Sequence, residues 1–364
     1  MTANGIVEWT PEDIERELAD KNADELIDNP KVKAVLTGGV VIPTGFTYKE
    51  GKKDEGVVVI NDQDDSEFVW VPVDEPSSMY GTDASGKKWG KLYKGSDLSQ
   101  KENWDLDANG QMVISSAEGS REPDIVAGSA GTSLDGGSDS NSKTYISYIN
   151  DRLGTSYTSA SNWLTNELEL EFNNMIDSVE KYRGFYVGRY ETSLRYSTDT
   201  ANGSGSTESD SNVVQSKPNK LSATAANTKT KMWYGLYASQ RMYAAETNSE
   251  AVESSMIWGS QYDAMMKWMD SNHITVTSST PMSNTARNES RITGNASYND
   301  QLNKVYDLYG SSFEWILEAY GTIVRANRGG RYGRSGDSPS SRYHSFSPTY
   351  ANADRSSRLA LYVK

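Results

Sequence analysis

The feature that most limits what this chain can fold into is a series of short β-type runs that begins near residue 40. The runs have three to six residues rich in β-branched and aromatic side chains, and lie at residues 40–43, 46–48, 57–60 and 68–73. Gly, Asn or Asp residues separate them, which is typical of small antiparallel sheets. No stretch of about 18 apolar residues occurs, so we expect no membrane insertion.

The second half of the chain adds amphipathic helices to these strands. Apolar residues recur at helical spacing from residue 163 to residue 179, and this helix is predicted to end before Gly184. Two further helices are predicted at about residues 233–245 and 258–269. Residues 185–191 and 359–363 again have strand character. The pattern as a whole predicts an α+β fold.

Changes in composition divide the chain into segments. Residues 1–37 are acidic and open with the helix-start signal Thr10-Pro11, so they are predicted to form a helical N-terminal segment without the basic and apolar regions of a signal peptide. Residues 38–364 are predicted to form one domain. Two stretches in it, at about 82–145 and 197–216, are rich in Ser, Gly and Asp and predict polar surface insertions.

Charge and composition exclude several classes of function. The chain has 36 Lys and Arg against 50 Asp and Glu, a net charge of −14, which disfavours binding to nucleic acid. It has no cysteine and two histidines among its 364 residues, so disulfides, thiol catalysis and Cys/His zinc sites are excluded. We expect no cofactor and no metal site. The acidic run at residues 61–67 suits a hairpin turn better than a Ca²⁺ loop, because the glycine and the terminal glutamate that such a loop needs are missing.

A few isolated residues permit enzymatic alternatives. Asp307 and Glu314 are seven residues apart and could form the carboxylate pair of a glycoside hydrolase if that stretch were helical. His344 could act as a base, although a surface contact residue is the favoured interpretation. His273 follows a predicted helix and is expected on the surface. For all of these residues, a structural or surface role is favoured over an enzymatic one.

Three ordered motifs resemble one protein family. The first is the strand Gly184-Phe185-Tyr186-Val187-Gly188-Arg189-Tyr190-Glu191. The second is the segment 305–315 with its VYDLYG and FEW sequences, and the third is Arg328-Gly329-Gly330 followed by residues 357–361. Together they resemble the motifs of formylglycine-generating-enzyme-like proteins. The resemblance covers residues 38–364 and implies a C-type-lectin-type fold. Ser311 and Ser312 depart from the motif. The family's copper-dependent oxidation requires paired cysteines, which this chain lacks.

The C-terminal stretch is similar to the variable proteins of diversity-generating retroelements, which share this fold. Such systems randomise template adenines, so Asn codons of the form AAY become variable without yielding Lys, Glu, Gln, Trp or Met. Residues 331–357 contain none of these five. Their Tyr, Ser, Gly and Arg content is also that of antibody paratopes. A variable region is therefore predicted within about residues 325–358.

The resemblance and the paratope-like composition together predict which residues bind a ligand and which support them. Tyr332, Pro339, Arg342, Pro348, Arg358 and the last strand are expected to provide scaffold, and Tyr332 also borders the binding surface. The predicted ligand-binding residues are Arg331, Tyr332, Gly333, Arg334, Asp337, Ser341, Tyr343, His344, Ser345, Phe346, Tyr350, Asn352 and Asp354.

These observations predict a non-enzymatic binding protein of a phage or prophage tail that recognises a protein or glycan receptor on a cell surface. The acidic segment 1–37 would then join it to a tail partner or to a homotrimer. The alternative in the same class is a bacterial surface adhesin, acting at the extracellular surface. The alternative from another class is an oxidoreductase of the formylglycine-generating type.

Overall fold

The computed structural model describes residues 38–93, 98, 105–106, 112–113, 120–122, 145–195, 213–222, 233–282, 285–320, 324–346, 348 and 354–364. The predicted helical segment 1–37 and most of the two predicted insertions lie outside the described residues. What is described is a mixed α+β fold of several small sheets and helices.

The strands are short, as the β-type runs predict. In the described part of the chain they are β1 Phe46–Glu50, β2 Val58–Asn61, β3 Glu67–Pro72, β4 Tyr80–Thr82, β5 Lys88–Gly90, β6 Asp105–Leu106, β7 Met112–Val113, β8 Ser120–Arg121, β9 Gly184–Gly188, β10 Ser193–Leu194, β11 Val214–Gln215, β12 Val252–Met256, β13 Gln301–Leu302, β14 Val305–Tyr306, β15 Phe313–Tyr320, β16 Val324–Arg328, β17 Arg342–Phe346, β18 Arg355–Ser357 and β19 Leu359–Val363.

Among the described residues, the helices lie between β8 and β13, apart from one short 3₁₀ turn at Pro76–Ser78. They are α1 Tyr145–Leu153, α2 Ala160–Trp163, which continues through a π-helical turn at Leu164–Leu168 into α3 Glu169–Tyr182, then α4 Trp233–Glu246 and α5 Gly259–Ser271.

A six-stranded antiparallel sheet with the order β1-β2-β3-β9-β19-β12 forms one half of the core. The C-terminal strand β19 lies inside this sheet, with Leu361 opposite Tyr186 of β9 and Ser254 of β12. Strand β19 is thereby fixed in the core. The GFYVG sequence of the family resemblance forms the central strand β9.

A second sheet with the order β17-β16-β15-β18 carries the C-terminal segment. Its strand β15 is buried along nearly its whole length, pairs antiparallel with β16 and parallel with β18, and also pairs with β8. β16 continues into the turn that leads to β17, with Arg328 opposite Arg342. The predicted variable region at about residues 325–358 therefore begins and ends on strands of one sheet.

Helix α3 buries the apolar residues whose helical spacing predicted it. Phe172, Met175, Ile176 and Val179 are fully buried on the side that packs on β9 and β19, and each such side chain contributes about 2 kcal/mol of burial free energy. The helix ends at Arg183, whose left-handed φ of 62° lets its N–H donate to Val179 O at 2.8 Å.

Most sequence-based predictions of elements are confirmed. The helices predicted at 163–179, 233–245 and 258–269 are α2–α3, α4 and α5, and the last strand is β19. The acidic run 61–67 is a hairpin turn between β2 and β3. The strand expected at 40–43 is wrong, because Pro43 O accepts the Phe46 N–H and forms a turn there. None of the described helices is long and apolar enough to cross a membrane.

Candidate functional site

Five of the predicted ligand-binding residues form one surface at the turn between β16 and β17. They are Arg331, Tyr332, Gly333, Arg334 and Tyr343, which we call the 331–343 surface. Gly333 and Arg334 are exposed, and the other three are half-buried. The turn lies outside the two strands that carry it, so its side chains are presented beside the sheet rather than within it.

Phe313, the first residue of β15, lies beneath this surface and organises it. Its ring is buried, and the guanidinium carbons of Arg331, Arg334 and Arg355 lie 5.6, 5.9 and 6.0 Å from its centroid. The Tyr343 ring lies 5.1 Å away at an interplanar angle of 51°. Arginine is attracted to the negative face of an aromatic ring, so Phe313 holds three cations in one place.

Two buried carboxylates offset part of this positive charge. Asp337 accepts the Tyr343 hydroxyl and forms an ion pair with Arg334 Nε at 3.3 Å. Asp354 forms ion pairs with Arg355 Nη1 at 2.6 Å and Arg331 Nη1 at 3.2 Å. Burial, and then the hydrogen bond to Asp337, raise the pKa of Tyr343 above its ordinary value, so the phenol stays protonated and donates.

Asp337, Ser341 and Asp354 are therefore corrections to the expectation that they face a ligand. All three are buried. Ser341 Oγ accepts the Ser338 N–H at 2.8 Å, so it closes the turn on itself. Small polar residues can be buried when cations and backbone groups satisfy them, and here they support the surface instead of forming it.

The remaining predicted residues are only partly described. The backbone of His344, Ser345 and Phe346 belongs to β17, and their side chains lie outside the described part of the structure. Tyr350 and Asn352 lie outside the described residues altogether.

Arg287 fixes the turn from outside the predicted variable region. Its Nη2 donates to the carbonyl oxygens of Asp337 at 3.0 Å and Ser335 at 3.4 Å, and its Nη1 donates to Tyr309 O. Its Nη2 also donates to Ser279 O at 3.1 Å, so one buried guanidinium binds four carbonyl groups of three segments. Such contacts depend on the backbone and are unaffected by the side chains that the turn carries.

Further backbone contacts come from elements earlier in the chain. The Tyr332 N–H donates to Ser311 O at 3.0 Å, and the Ser340 N–H to Val276 O at 3.0 Å. The Tyr262 hydroxyl of α5 donates to Pro339 O at 2.9 Å. The path of the turn is therefore set at several separate points.

Gly330 marks the closest approach between the turn and the preceding motif. A Cβ atom added there would lie 2.0 Å from Tyr309 O and 2.7 Å from Tyr309 C, which is backbone that cannot move aside. The Gly330 N–H donates to Leu308 O at 3.0 Å. Only glycine fits at this position.

Buried ion pairs form the layer below. Arg358, fully buried, binds Glu314 through Nε at 3.1 Å and through Nη2. Arg328 Nη2 binds the buried Asp263 of α5 at 2.6 Å. Burial raises the pKa of Glu314, and the neighbouring Arg358 opposes that rise. Glu314 lies opposite Arg328 where β15 pairs with β16, and its side-chain ion pair is with Arg358.

The possible hydrolytic pair Asp307 and Glu314 is not on a helix. Asp307 lies in a loop with φ 70° and accepts the Gly294 N–H at 2.8 Å and Asn288 Nδ2 at 2.9 Å. Glu314 lies in β15. Both are buried, and burial raises the pKa of Asp307 to about 6. Each carboxylate is bound to a group of the fold itself.

The structure also describes His273 and the arrangement of the possible metal-ligating side chains. His273 is exposed just after α5, as predicted. Within the described ranges, no three His, Asp or Glu side chains are arranged to hold a metal ion.

Sequence reasoning missed three residues of the site, namely Phe313, Arg287 and Arg291. The guanidinium carbon of Arg291 lies 5.7 Å from the centroid of the Tyr332 ring. All three precede the predicted variable region. Phe313 belongs to the FEW motif, and the two arginines lie in a polar stretch without periodicity, so no local signal points to a role in binding.

No protein-family model matches this chain, and neither a curated protein nor a solved structure is significantly similar to it.

Proposed function

We propose that this chain is a non-enzymatic binding protein whose 331–343 surface is part of a region diversified by a retroelement. Its receptor would be a protein or glycan on a cell surface, and its setting a phage or prophage tail. The proposal includes a C-type-lectin-type fold for residues 38–364. It rests on the resemblance described above together with the contacts of the turn.

The fold part of the proposal is supported by the position of the motifs. The three motifs fall on adjoining elements: β9 in the large sheet, β14 to β15, and β16 with β18 to β19. Arg358, from the last motif, contacts both others, because it binds Glu314 and the Gly188 carbonyl oxygen, the latter at 2.8 Å. Motifs that meet in this way are expected of one shared fold rather than of chance matches.

The observation that carries the functional part is how the turn is held. Its backbone is bound by Ser311, Val276, Leu308, Arg287 and Tyr262, none of which lies in residues 331–357. Side chains at exposed positions of the turn can then change while the backbone keeps its path. A rigid backbone also lowers the entropy lost on binding, which favours a surface whose side chains are exchanged.

The carboxylates that could perform hydrolysis support the same proposal. Glu314 is engaged by Arg358, and Asp307 by Gly294 and Asn288. Side chains bound in this manner hold segments of the fold together. This use of both carboxylates favours binding over glycoside hydrolysis.

The test of the proposal is genomic. A reverse-transcriptase gene beside this locus, together with a near-identical copy of the sequence for residues 331–357, is expected. Tail-assembly genes nearby would support the phage setting over the adhesin. A locus with neither the reverse-transcriptase gene nor the repeat would contradict diversification.

A further inference from the structure

The 331–343 surface carries guanidinium groups whose donors are not used within the fold. Arg291 is half-buried and stacks on Tyr332, and in the described part of the chain its side chain makes no hydrogen bond or ion pair. A guanidinium has five N–H donors in a planar fork. All of those on Arg291 are available to a ligand.

Arg334 offers a second fork on the other side of the Tyr332–Gly333 step. Its side chain is 46% exposed, and only Nε contacts Asp337, at 3.3 Å. Its guanidinium carbon lies 5.0 Å from the Tyr343 ring centroid, so the aromatic ring holds the group in position. Among the described residues its two terminal nitrogens have no partner.

The local charge is opposite to that of the whole chain. Among the described residues, five arginines and four carboxylates lie on or beneath this surface, an excess of one positive charge, whereas the chain carries −14. The arginines are 287, 291, 331, 334 and 355, and the carboxylates are those of Glu289, Asp300, Asp337 and Asp354. A local excess of positive charge attracts anionic groups and repels cationic ones.

The chain's own contacts indicate which anion fits. Asp354 already occupies one side of Arg331, and Asp337 one side of Arg334. The Glu289 carboxylate accepts the Gly333 N–H at 2.6 Å at the edge of the same turn. Carboxylate is thus the group that these donors bind within the fold, and planar forks match it in two-point contacts.

Each aromatic ring at this surface already contacts an arginine. Tyr343 contacts Arg334 and Phe313, and Tyr332 contacts Arg291. Side-chain carboxylates need only the outward guanidinium edges, which these ring contacts leave open. We therefore take an acidic protein segment as the partner, and an acidic glycan is the alternative that the test separates from it.

We infer that the 331–343 surface of this chain binds an acidic, Asp- or Glu-rich segment of a protein through Arg291 and Arg334. The inference rests on the proposed function and specifies the partner chemistry of that same surface. Arg291 precedes the predicted variable region and would be constant among variants. Arg334 lies within that region and would be particular to this chain.

The test measures binding of a fluorescently labelled oligo-glutamate peptide to the full chain by fluorescence anisotropy at low salt. Arg291→Gln and Arg334→Gln are each expected to weaken binding about threefold to fivefold, and the double variant more than either. The matched control is Lys52→Gln, which removes one exposed positive charge near the end of β1 and should leave binding unchanged. Oligo-lysine can bind acidic parts of a chain of net charge −14, but neither arginine substitution should weaken that binding.

Three results would overturn the inference. They are absence of oligo-glutamate binding, equal losses in the Lys52 and arginine variants, and tighter binding of hyaluronate or heparin than of oligo-glutamate. None of them bears on diversification, because the proposed function is tested by the gene neighbourhood and its template repeat. A failed peptide experiment beside a confirmed repeat would therefore refute only the acidic partner.

Discussion

Replacing Arg358 by Met would remove the guanidinium that joins several segments beneath the 331–343 surface. Arg358 donates to Gly188 O and Tyr306 O, each at 2.8 Å, and to both carboxylate oxygens of Glu314. It is fully buried, so water cannot replace these contacts. Methionine fills a similar length with an apolar side chain and keeps the packing.

The expected loss of stability is large, because Glu314 would keep its buried charge without a partner. Removing one member of a buried ion pair costs about 3–5 kcal/mol. Two carbonyl oxygens would also lose their donor, at about 1 kcal/mol or more each. Burial already raises the pKa of Glu314, and loss of Arg358 would raise that pKa further. Protonation of Glu314 then limits the cost to the lower part of the range at acidic pH.

Urea unfolding of the full chain, followed by tryptophan fluorescence, measures this free energy. The matched control is Lys52→Met, which removes an exposed ammonium group without an ion pair among the described residues and should change the free energy of unfolding by less than about 1 kcal/mol. Adding Glu314→Gln to Arg358→Met should restore part of the loss, since the unpaired charge is gone. If Arg358→Met and Lys52→Met destabilise equally, the buried ion pairs do not hold this surface.

Further predictions concern the turn and the buried acids. Gly330→Ala should destabilise the chain by about 3 kcal/mol or more, because its Cβ would lie 2.0 Å from a backbone oxygen, whereas Gly336→Ala meets nothing within 4 Å and should change stability by less than about 0.5 kcal/mol in the same urea assay. Tyr343→Phe removes the hydroxyl that donates to the buried Asp337 carboxylate and should cost about 1–3 kcal/mol of stability in thermal unfolding. Tyr332→Phe should cost little, because the Tyr332 hydroxyl has no hydrogen bond among the described residues. Equal losses in the two variants would contradict the contact between Tyr343 and Asp337. Burial raises the pKa of Glu122 to about 8, so the stability that its protonated form contributes is complete below the ordinary pKa and is lost as pH rises through about 8. The melting temperature should therefore fall between pH 5 and pH 9, and it should fall less steeply in Glu122→Gln. An equal pH dependence of the melting temperature in both proteins would refute this prediction.

The helices and the central strands could be predicted because their patterns are local. The burial of Phe172, Met175 and Val179 follows from their spacing on one side of a helix. The β-type run 40–43 has the same local signal as a strand, but Pro43 directs the chain into a turn, where its carbonyl oxygen accepts the Phe46 N–H. Pairing between distant segments decides such cases, and sequence spacing does not record it.

The site was predicted in part for the same reason. Arg331 and Arg334 lie in a stretch whose composition pointed to a binding surface, and both reach the surface. Asp337 and Asp354 resemble exposed polar residues in sequence, yet both are buried, where Tyr343 donates to Asp337 and Arg331 pairs with Asp354. Arg291, distant in the sequence, joins the site only through the fold, so composition could not identify it.

The most direct test of diversification at this surface is to compare the nucleotide sequence for residues 325–358 between sibling genomes and their template repeat. Differences should be confined to template adenines and should fall on exposed positions such as Gly333 and Arg334, while the codons for the buried Arg328, Gly330 and Arg358 stay constant. Differences at all four bases, or spread equally over the codons of the buried residues, would contradict a diversified binding surface.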